Sequence, residues 1–299
     1  MMVYNEFHGV ADFVVMGRDI SGPVTYAPTY VLADDPLQSA RRELARMVGA
    51  QWRREAGLRG LLDPVPLGVR WSTAWGDPYG DHPHLAPGGS REASADLTSF
   101  TEDFLALPRQ RLMVLGGPGA GKSAFCVLLV LSLLARRRPE DPVPVLTTLT
   151  SWDPATQDFE VWLTRRLAED YPRLHHPRGG GANAAARLVE AQAVLPVLDG
   201  LDEISPPRRR LALRGLNRAL AGDCPIVLTC RTSAYAALLE EADVLRSATV
   251  IRALPVTALT ALDYLITAVP PQRQEPGSQY SRPWQTTRTD RSPRHCRHR

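Results

Sequence analysis

Apolar residues are arranged along this chain in two alternating patterns: short runs that are apolar at nearly every position, and longer stretches in which apolar residues recur at helical spacing. The short runs predict buried strands at residues 111–115, 143–149, 194–198, 225–231 and 248–254. The longer stretches predict helices at residues 37–62, 123–135, 158–171, 182–192, 206–221 and 257–268. This alternation predicts an α/β fold in which helices cover both faces of a parallel sheet, a three-layer α/β/α core.

The first predicted helix is amphipathic and basic. Leu44, Val48 and Trp52 lie on its apolar side, and arginines occupy most of the remainder. A basic amphipathic helix can lie on an anionic membrane, but Glu43 and Glu55 dilute its charge. Docking of this helix onto the sheet domain is therefore the favoured interpretation.

The region between that helix and the core is different in composition. Residues 63–94 are rich in Pro and Gly and contain Trp71, Trp75 and Tyr79, which predicts an ordered strap or linker. We therefore expect a helical and loop extension at 37–100, followed by the α/β domain at 101–268.

The basic character of the chain comes from its last residues. The whole chain has a formal charge of +3 and an isoelectric point of about 8.8. Residues 271–299 contain no Ala, Leu, Ile, Val, Met or Phe, and seven arginines against two acids give them a formal charge of +5, which leaves −2 for the rest. Such a segment cannot bury enough apolar surface to offset its ordering entropy, so we expect a disordered basic tail. The net charge therefore does not indicate specific nucleic-acid binding by the folded part, although a basic nucleic-acid arm is an alternative for the tail.

Three features of the chain bear on its location. No amino-terminal stretch combines a basic start, an apolar run and a small-residue cleavage site. The four cysteines show neither metal-ligand spacing nor a disulfide framework. The apolar run at 124–135 is well short of the roughly 20 residues needed to cross a bilayer. We expect a cytoplasmic protein and no membrane partner.

The only lysine of the chain, Lys122, lies between the first predicted core strand and the helix that follows it. It belongs to the run Gly116-Gly117-Pro118-Gly119-Ala120-Gly121-Lys122-Ser123, which matches the phosphate-binding P-loop pattern G-x-x-x-x-G-K-[ST]. In such a loop, backbone N–H groups turn inward around a phosphate at the positive end of the helix, the lysine reaches the β- and γ-phosphates, and the serine hydroxyl ligates Mg²⁺. The strand and helix on either side favour this interpretation over a Gly-rich turn with an incidental lysine.

A second group of candidate residues, Asp199, Asp202 and Glu203, follows the apolar run at 194–198. The carboxyl edge of a parallel sheet is where the Mg²⁺ of a bound nucleotide lies in P-loop proteins. Asp199 is the predicted outer-sphere partner of Mg²⁺, and Asp202 or Glu203 is predicted to orient or deprotonate the attacking water. A turn at Asp199 followed by a helix start, where acids complement the helix dipole, is an alternative that is compatible with the catalytic one.

The predicted strand at 225–231 ends at Arg231. In P-loop ATPases that carry an extra strand between the P-loop strand and the acid-bearing strand, the end of the extra strand points at the γ-phosphate. Arg231 is therefore predicted to be a phosphate sensor. Because arginine is common in this chain, a solvated arginine is the alternative.

Together these motifs resemble a known family. The P-loop, the run Asp199-Gly200-Leu201-Asp202-Glu203 and the strand end Thr229-Cys230-Arg231-Thr232 are similar to the NACHT domain of STAND-class signalling ATPases, particularly those of high-GC actinobacteria. The resemblance covers about residues 37–268. It implies a protein that binds ATP or ADP with Mg²⁺, hydrolyses ATP slowly, and uses the bound nucleotide as a switch for homo-oligomerisation. Stacking of the adenine on Trp71, Trp75 or Tyr79 is a weaker expectation.

The two ends of the chain carry further expectations. Residues 1–30 contain short β-prone runs punctuated by glycines and are similar to bacterial amyloid-type signalling motifs, although Met16 takes the place of the usual glutamine after the paired valines. A simple β-hairpin or a disordered leader is the alternative. Because the composition changes abruptly where a NACHT protein continues into helical and winged-helix domains, the tail at 271–299 is expected to be an out-of-frame or truncated end.

These inferences predict a NACHT-type P-loop NTPase that acts as the switch of a signalling or defence protein. The alternative is a non-catalytic adaptor that binds nucleotide and recruits an effector protein through its amino-terminal segment. A metabolic P-loop kinase is disfavoured because the sequence shows no motif for a second substrate pocket.

Overall fold

The computed structural model describes residues 35–62, 71–73, 92–93, 97–176, 180–220, 223–241 and 244–254. The predicted segment at 1–30, most of the strap at 63–94, the helix at 257–268 and the tail at 271–299 lie outside these residues. The described part contains all five predicted core strands and the loop that holds Lys122.

The helices of the described residues fall into α-helices and short 3-10 connections. The α-helices are α1 (Pro36–Leu58), α2 (Leu97–Leu105), α3 (Lys122–Arg136), α4 (Phe159–Asp170), α5 (Ala184–Glu190), α6 (Pro206–Ala219) and α7 (Thr232–Glu240). Short 3-10 helices lie at Leu149–Ser151, Pro172–His175 and Leu201–Glu203. Within this part of the chain, no helix has the length and apolar content that a bilayer span requires.

The strands of the described residues form one seven-stranded sheet. They are β1 (Trp71–Thr73), β2 (Glu92–Ala93), β3 (Arg111–Gly116), β4 (Val143–Thr148), β5 (Val194–Asp199), β6 (Ile226–Arg231) and β7 (Thr249–Ala253), in the spatial order β2-β1-β7-β3-β6-β5-β4. The five strands from β7 to β4 in this order are parallel, whereas β1 is antiparallel to both β7 and β2. The predicted α/β class is confirmed, and an antiparallel pair extends its parallel sheet.

Strand β6 lies between β3 and β5, as expected for the strand that ends at Arg231. Gly116 at the end of β3 pairs with Arg231, and Leu198 in β5 pairs with Leu228. Because parallel strands share one direction, the carboxyl ends of β3, β6 and β5 meet at the same edge of the sheet. This order brings the P-loop, Arg231 and Asp199 to one place.

The observed helices differ from the predicted ones mainly at their ends. Helix α1 ends at Leu58 rather than at residue 62, because the chain turns back and the Leu61 N–H donates to the Ala56 carbonyl at 2.8 Å. Helix α5 is shorter than the predicted helix at 182–192. Helices α2 and α7 and strands β1 and β2 had not been predicted at all. Helix α7 was missed because it begins at the residue directly after β6, with no turn residue between them.

Helix α1 packs on the sheet domain, as predicted. It contacts α3, α5 and the edge strand β4, and it buries Ala40, Leu44, Val48 and Ala56 completely. Helix α3 packs against β3, β4 and β5, while α7 packs against β6 and β3. These contacts and the four completely buried side chains make α1 an integral part of the fold.

Arg111, the first residue of β3, is buried although arginine is rarely found in a core. Its guanidinium donates to the backbone carbonyls of Cys224, Arg246 and Leu220, on the segments that lead into β6 and β7. Burial lowers the pKa of this guanidinium below its ordinary value, and the nearby Arg109 lowers it further. Arg111 thereby ties the start of the P-loop strand to both neighbouring strands.

Candidate functional site

The loop from β3 to α3 leaves the positive end of α3 open. Gly121 is the N-cap residue of this helix, and its φ of 80° lies in the left-handed region that favours glycine. Within the described part of the chain no side chain caps the helix, and its first backbone hydrogen bond runs from the Phe125 N–H to the Gly121 carbonyl at 2.8 Å. The N–H groups of the first turn are therefore available to an anion, which is also attracted by the helix dipole.

Lys122, the first residue of α3, folds back over the loop. Its Nζ donates to the backbone carbonyl of Gly116 at 3.1 Å and to that of Gly117 at 3.0 Å. These two carbonyls hold the ammonium group beside the open end of α3. The positive charge of Lys122 thus lies at the loop that precedes α3.

Asp199, the last residue of β5, has hydrogen bonds on both carboxylate oxygens. Ser123 in α3 donates its hydroxyl to Oδ2 at 2.5 Å, and Thr229 in β6 donates its hydroxyl to Oδ1 at 2.5 Å. The Thr229 oxygen also accepts the Gly200 N–H at 2.9 Å. The carboxylate of Asp199 is therefore fixed by residues from two other elements of the fold.

Asp202 is engaged by Arg231. Its Oδ1 accepts the Arg231 backbone N–H at 2.9 Å, and its Oδ2 lies 2.8 Å from the Arg231 Nε. Arg231 is the N-cap residue of α7, so this carboxylate stands at the positive end of that helix. Arg209 adds a hydrogen bond from its Nη2 to the Asp202 backbone carbonyl at 2.7 Å. Asp202 thus joins the turn after β5 to both α6 and α7.

Glu203 differs from its neighbour, because its carboxylate makes no hydrogen bond or ion pair with the described residues. It lies over Gly200, where a Cβ would stand only 2.7 Å from the Glu203 Cδ and where φ is +85°. Partial burial raises the pKa of Glu203, and the carboxylates of Asp199 and Asp202 raise it further, against the opposing effect of Arg231. Glu203 is thus an unengaged carboxylate with a raised affinity for protons.

These side chains enclose one cavity of about 350 Å³. Its lining consists of Pro118, Gly119, Ala120, Gly121, Lys122, Ser123, Ala124, Asp199, Gly200, Asp202, Glu203 and Arg231. The two remaining residues of the predicted site, Gly116 and Gly117, accept the hydrogen bonds of Lys122. The structure therefore brings all the predicted site residues together, with two cations and three carboxylates around one space.

Sequence reasoning missed some contributors to this site. Thr229 and Arg209 hold Asp199 and Asp202, and neither had been assigned a role there. Trp71 is a weaker candidate for stacking on an adenine. It is buried, and its ring centroid lies 4.5 Å from that of Phe125, so its ring has no exposed face on which a base could stack. Trp75 and Tyr79 lie outside the described residues.

A second cavity, of about 420 Å³, lies among α4, α5, α6 and the amino-terminal ends of β5 and β6. Its lining among the described residues includes Glu160 and Glu190 and contains no lysine or arginine. An acidic and apolar lining does not suit a phosphate group. The charged cavity at the carboxyl edge is therefore the better candidate for an anionic ligand.

No protein-family model matches this chain, and no curated protein matches it significantly. The resemblance to NACHT domains is thus carried by the motifs quoted above.

The raised pKa of Glu203 predicts a pH-dependent effect on stability. A carboxyl group with a raised pKa stabilises the fold while it is protonated and loses that contribution as the pH rises through its folded-state pKa. Glu203→Gln, which stays neutral, is therefore expected to raise the melting temperature at pH 7 and to leave it unchanged near pH 4. Scanning calorimetry across this range, with the exposed Glu240→Gln on α7 as a control, measures the difference. An equal effect of Glu203→Gln at both pH values would contradict the assignment.

Proposed function

We propose that this chain is a Mg²⁺-dependent, ATP-binding P-loop NTPase of the NACHT type, with a three-layer α/β/α core, that acts as a nucleotide-controlled switch in signalling or defence. One observation carries the proposal: the only lysine of the chain stands at the open end of α3, in one cavity with the Ser123–Asp199 pair. A cytoplasmic location, homo-oligomerisation and recruitment of an effector through residues 1–30 belong to the same proposal.

Phosphate binding is assigned to the loop and to Lys122. The uncapped N–H groups of α3 and the ammonium group converge on the cavity, and both favour an anion. The ammonium donates to the carbonyls of Gly116 and Gly117. A bound β/γ-phosphate offers it stronger, charge-assisted acceptors.

The donor set also suits Mg²⁺. The Ser123 hydroxyl and the Asp199 carboxylate present hard oxygen atoms 2.5 Å apart, and Mg²⁺ in nucleotide sites is held by one or two such protein groups together with the phosphates. Ser123 would hold the ion directly and Asp199 through a water. When bound, Mg²⁺ neutralises negative charge that develops on the phosphates.

The surroundings of Asp202 and Glu203 favour one of these two acids, which the sequence left as alternatives. The Asp202 carboxylate is occupied by the Arg231 N–H and Nε, so it positions Arg231 and α7. The Glu203 carboxylate faces the same cavity without a hydrogen bond to the described residues, and its raised pKa makes it a better proton acceptor. We therefore assign Glu203 to orient and deprotonate the attacking water.

Arg231 is assigned to the γ-phosphate. Asp202 binds its Nε, which leaves the terminal nitrogens Nη1 and Nη2 without a partner among the described residues. Its side chain is half exposed and lines the cavity, so these nitrogens can donate to a phosphate oxygen while the Asp202 contact is kept. This arrangement supports the sensor interpretation over that of a simply solvated arginine.

Nucleotide affinity tests the phosphate assignment. Lys122→Ala removes the ammonium that spans the β- and γ-phosphates, so the affinity for ATP is expected to fall at least tenfold, or about 1.4 kcal/mol. Isothermal titration calorimetry with Mg²⁺–ATP measures this change. Arg165→Ala, which removes an exposed cation on α4 outside the cavity, is the matched control and is expected to bind normally. Unchanged affinity in Lys122→Ala would reject the P-loop assignment.

Turnover tests the roles of the two acids. A residue that activates water contributes mainly to the transition state, so Glu203→Gln is expected to keep its ATP affinity and to lose about 100-fold or more in turnover. Asp202→Asn is expected to lower stability by about 1 kcal/mol through the weakened helix end, with a smaller effect on turnover. Phosphate release and thermal unfolding measure the two effects.

The opposite result would reverse the two roles. If Asp202→Asn abolishes turnover while Glu203→Gln turns over normally, Asp202 is the base. If the unmodified chain binds ATP and releases no phosphate, the protein is the non-catalytic, nucleotide-dependent adaptor.

A further inference from the structure

We infer that Thr229 is a positioning residue of the nucleotide site. Its single hydroxyl fixes the orientation of the Asp199 carboxylate and the position of the turn that carries Glu203. The inference rests on the function proposed above. Thr229 lies in the middle of an apolar strand and does not line the cavity. Its role would therefore be exerted through the residues that it holds.

The register of the sheet places Thr229 beside Asp199. Leu198 in β5 pairs with Leu228 in β6, so the next residue of each strand, Asp199 and Thr229, stand side by side at the carboxyl edge. On its other side Thr229 pairs with Val114 in β3, the strand that leads into the P-loop. The side chain is fully buried, so water cannot replace its hydroxyl in either hydrogen bond.

The Thr229 hydroxyl is a hydrogen-bond donor to one residue and an acceptor from another. It donates to the Asp199 Oδ1 at 2.5 Å and accepts the Gly200 N–H at 2.9 Å. The first bond prevents the carboxylate from rotating, which leaves Oδ2 directed at the Ser123 hydroxyl, 2.5 Å away. The second bond fixes the chain where it turns at Gly200, directly beneath Glu203.

A valine in this position fits the space but lacks both functions. The Asp199 Oδ1 and the Gly200 N–H would each lose a partner, and the carboxylate and the turn would become free to move independently. Serine retains both functions. The pair of substitutions therefore separates the hydroxyl from the remainder of the side chain.

The experiment compares Thr229→Val and Thr229→Ser with the unmodified chain in two measurements. The first is ATP affinity by calorimetry with Mg²⁺ and with a chelator, which reports how strongly Mg²⁺ enhances binding without any need for hydrolysis. The second is turnover. Groups that orient a metal ligand typically contribute 10- to 100-fold to metal affinity or activity. Thr229→Val is therefore expected to lose about 10- to 100-fold in the enhancement of ATP binding by Mg²⁺ and in turnover. In the presence of chelator, the affinity of Thr229→Val for ATP should stay within about twofold of that of the unmodified chain, because the P-loop is unchanged. Thr229→Ser should restore Mg²⁺ enhancement and turnover.

Thr101→Val is the matched control. Thr101 is equally buried and its hydroxyl also makes two hydrogen bonds, to the Leu97 carbonyl at 2.7 Å and to the Ser132 hydroxyl at 2.9 Å, outside the cavity lining. This variant is expected to lose thermal stability and to keep Mg²⁺ enhancement and turnover. If Thr229→Val does not fold, Thr229→Ala serves in the same comparison.

The outcomes separate this inference from the proposed function. An unmodified chain that binds no nucleotide overturns both. An unmodified chain whose ATP binding is enhanced by Mg²⁺, together with a Thr229→Val variant that matches it in enhancement and turnover, overturns only the role of Thr229. A loss that Thr229→Ser does not restore also overturns it, because the hydroxyl is then not the responsible group.

Discussion

The site depends on the hydrogen bonds that the Asp199 carboxylate accepts. A charged group at the edge of a buried strand requires hydrogen-bond donors, and Asp199 takes one from α3 through Ser123 and one from β6 through Thr229. These two bonds join the helix that begins at Lys122, the strand that ends at Arg231 and the strand that carries Asp199 itself. A single carboxylate thus connects three elements that surround the cavity.

Strand order makes this sharing possible. Strand β6 lies between β3 and β5. The carboxyl ends of these three strands, which carry the P-loop, Arg231 and Asp199, are therefore neighbours although they are far apart in sequence. Contacts outside the cavity also hold these strands in place. The buried Arg111 anchors the start of β3 to the segments before β6 and β7, and α1 contacts the edge strand β4. Rigid elements of this kind hold a binding site more accurately than loops do.

Much of this fold could be predicted because buried parallel strands leave a simple pattern. The runs that became β3, β4, β5 and β6 are apolar at nearly every position, since both faces of these strands are covered. Helix α7 could not be predicted in this way, because it follows β6 without a turn residue to mark its start. The grouping of the site residues was predictable where a motif specifies their spacing, as at Lys122. The different contacts of Asp202 and Glu203 were not, because adjacent acids look alike in sequence and only the structure shows that Asp202 contacts Arg231. Thr229 was missed for a related reason: in an apolar run, a threonine is indistinguishable from any β-branched strand residue.

The central claim is that Lys122 binds the phosphates of a nucleotide, and the composition of the chain allows a direct test. Because Lys122 is the only lysine, this side chain and the α-amino group are the only amines that an acylating reagent can modify. Mass spectrometry of the unmodified chain can follow both acylation rates in the presence of Mg²⁺ with ATP, ADP or adenosine. The account predicts that ATP and ADP slow acylation of Lys122 at least about tenfold at saturation, that adenosine does not, and that the α-amino group reacts at one rate throughout, since only a phosphate reaches the ammonium. Equal acylation of Lys122 with and without millimolar ATP would contradict it.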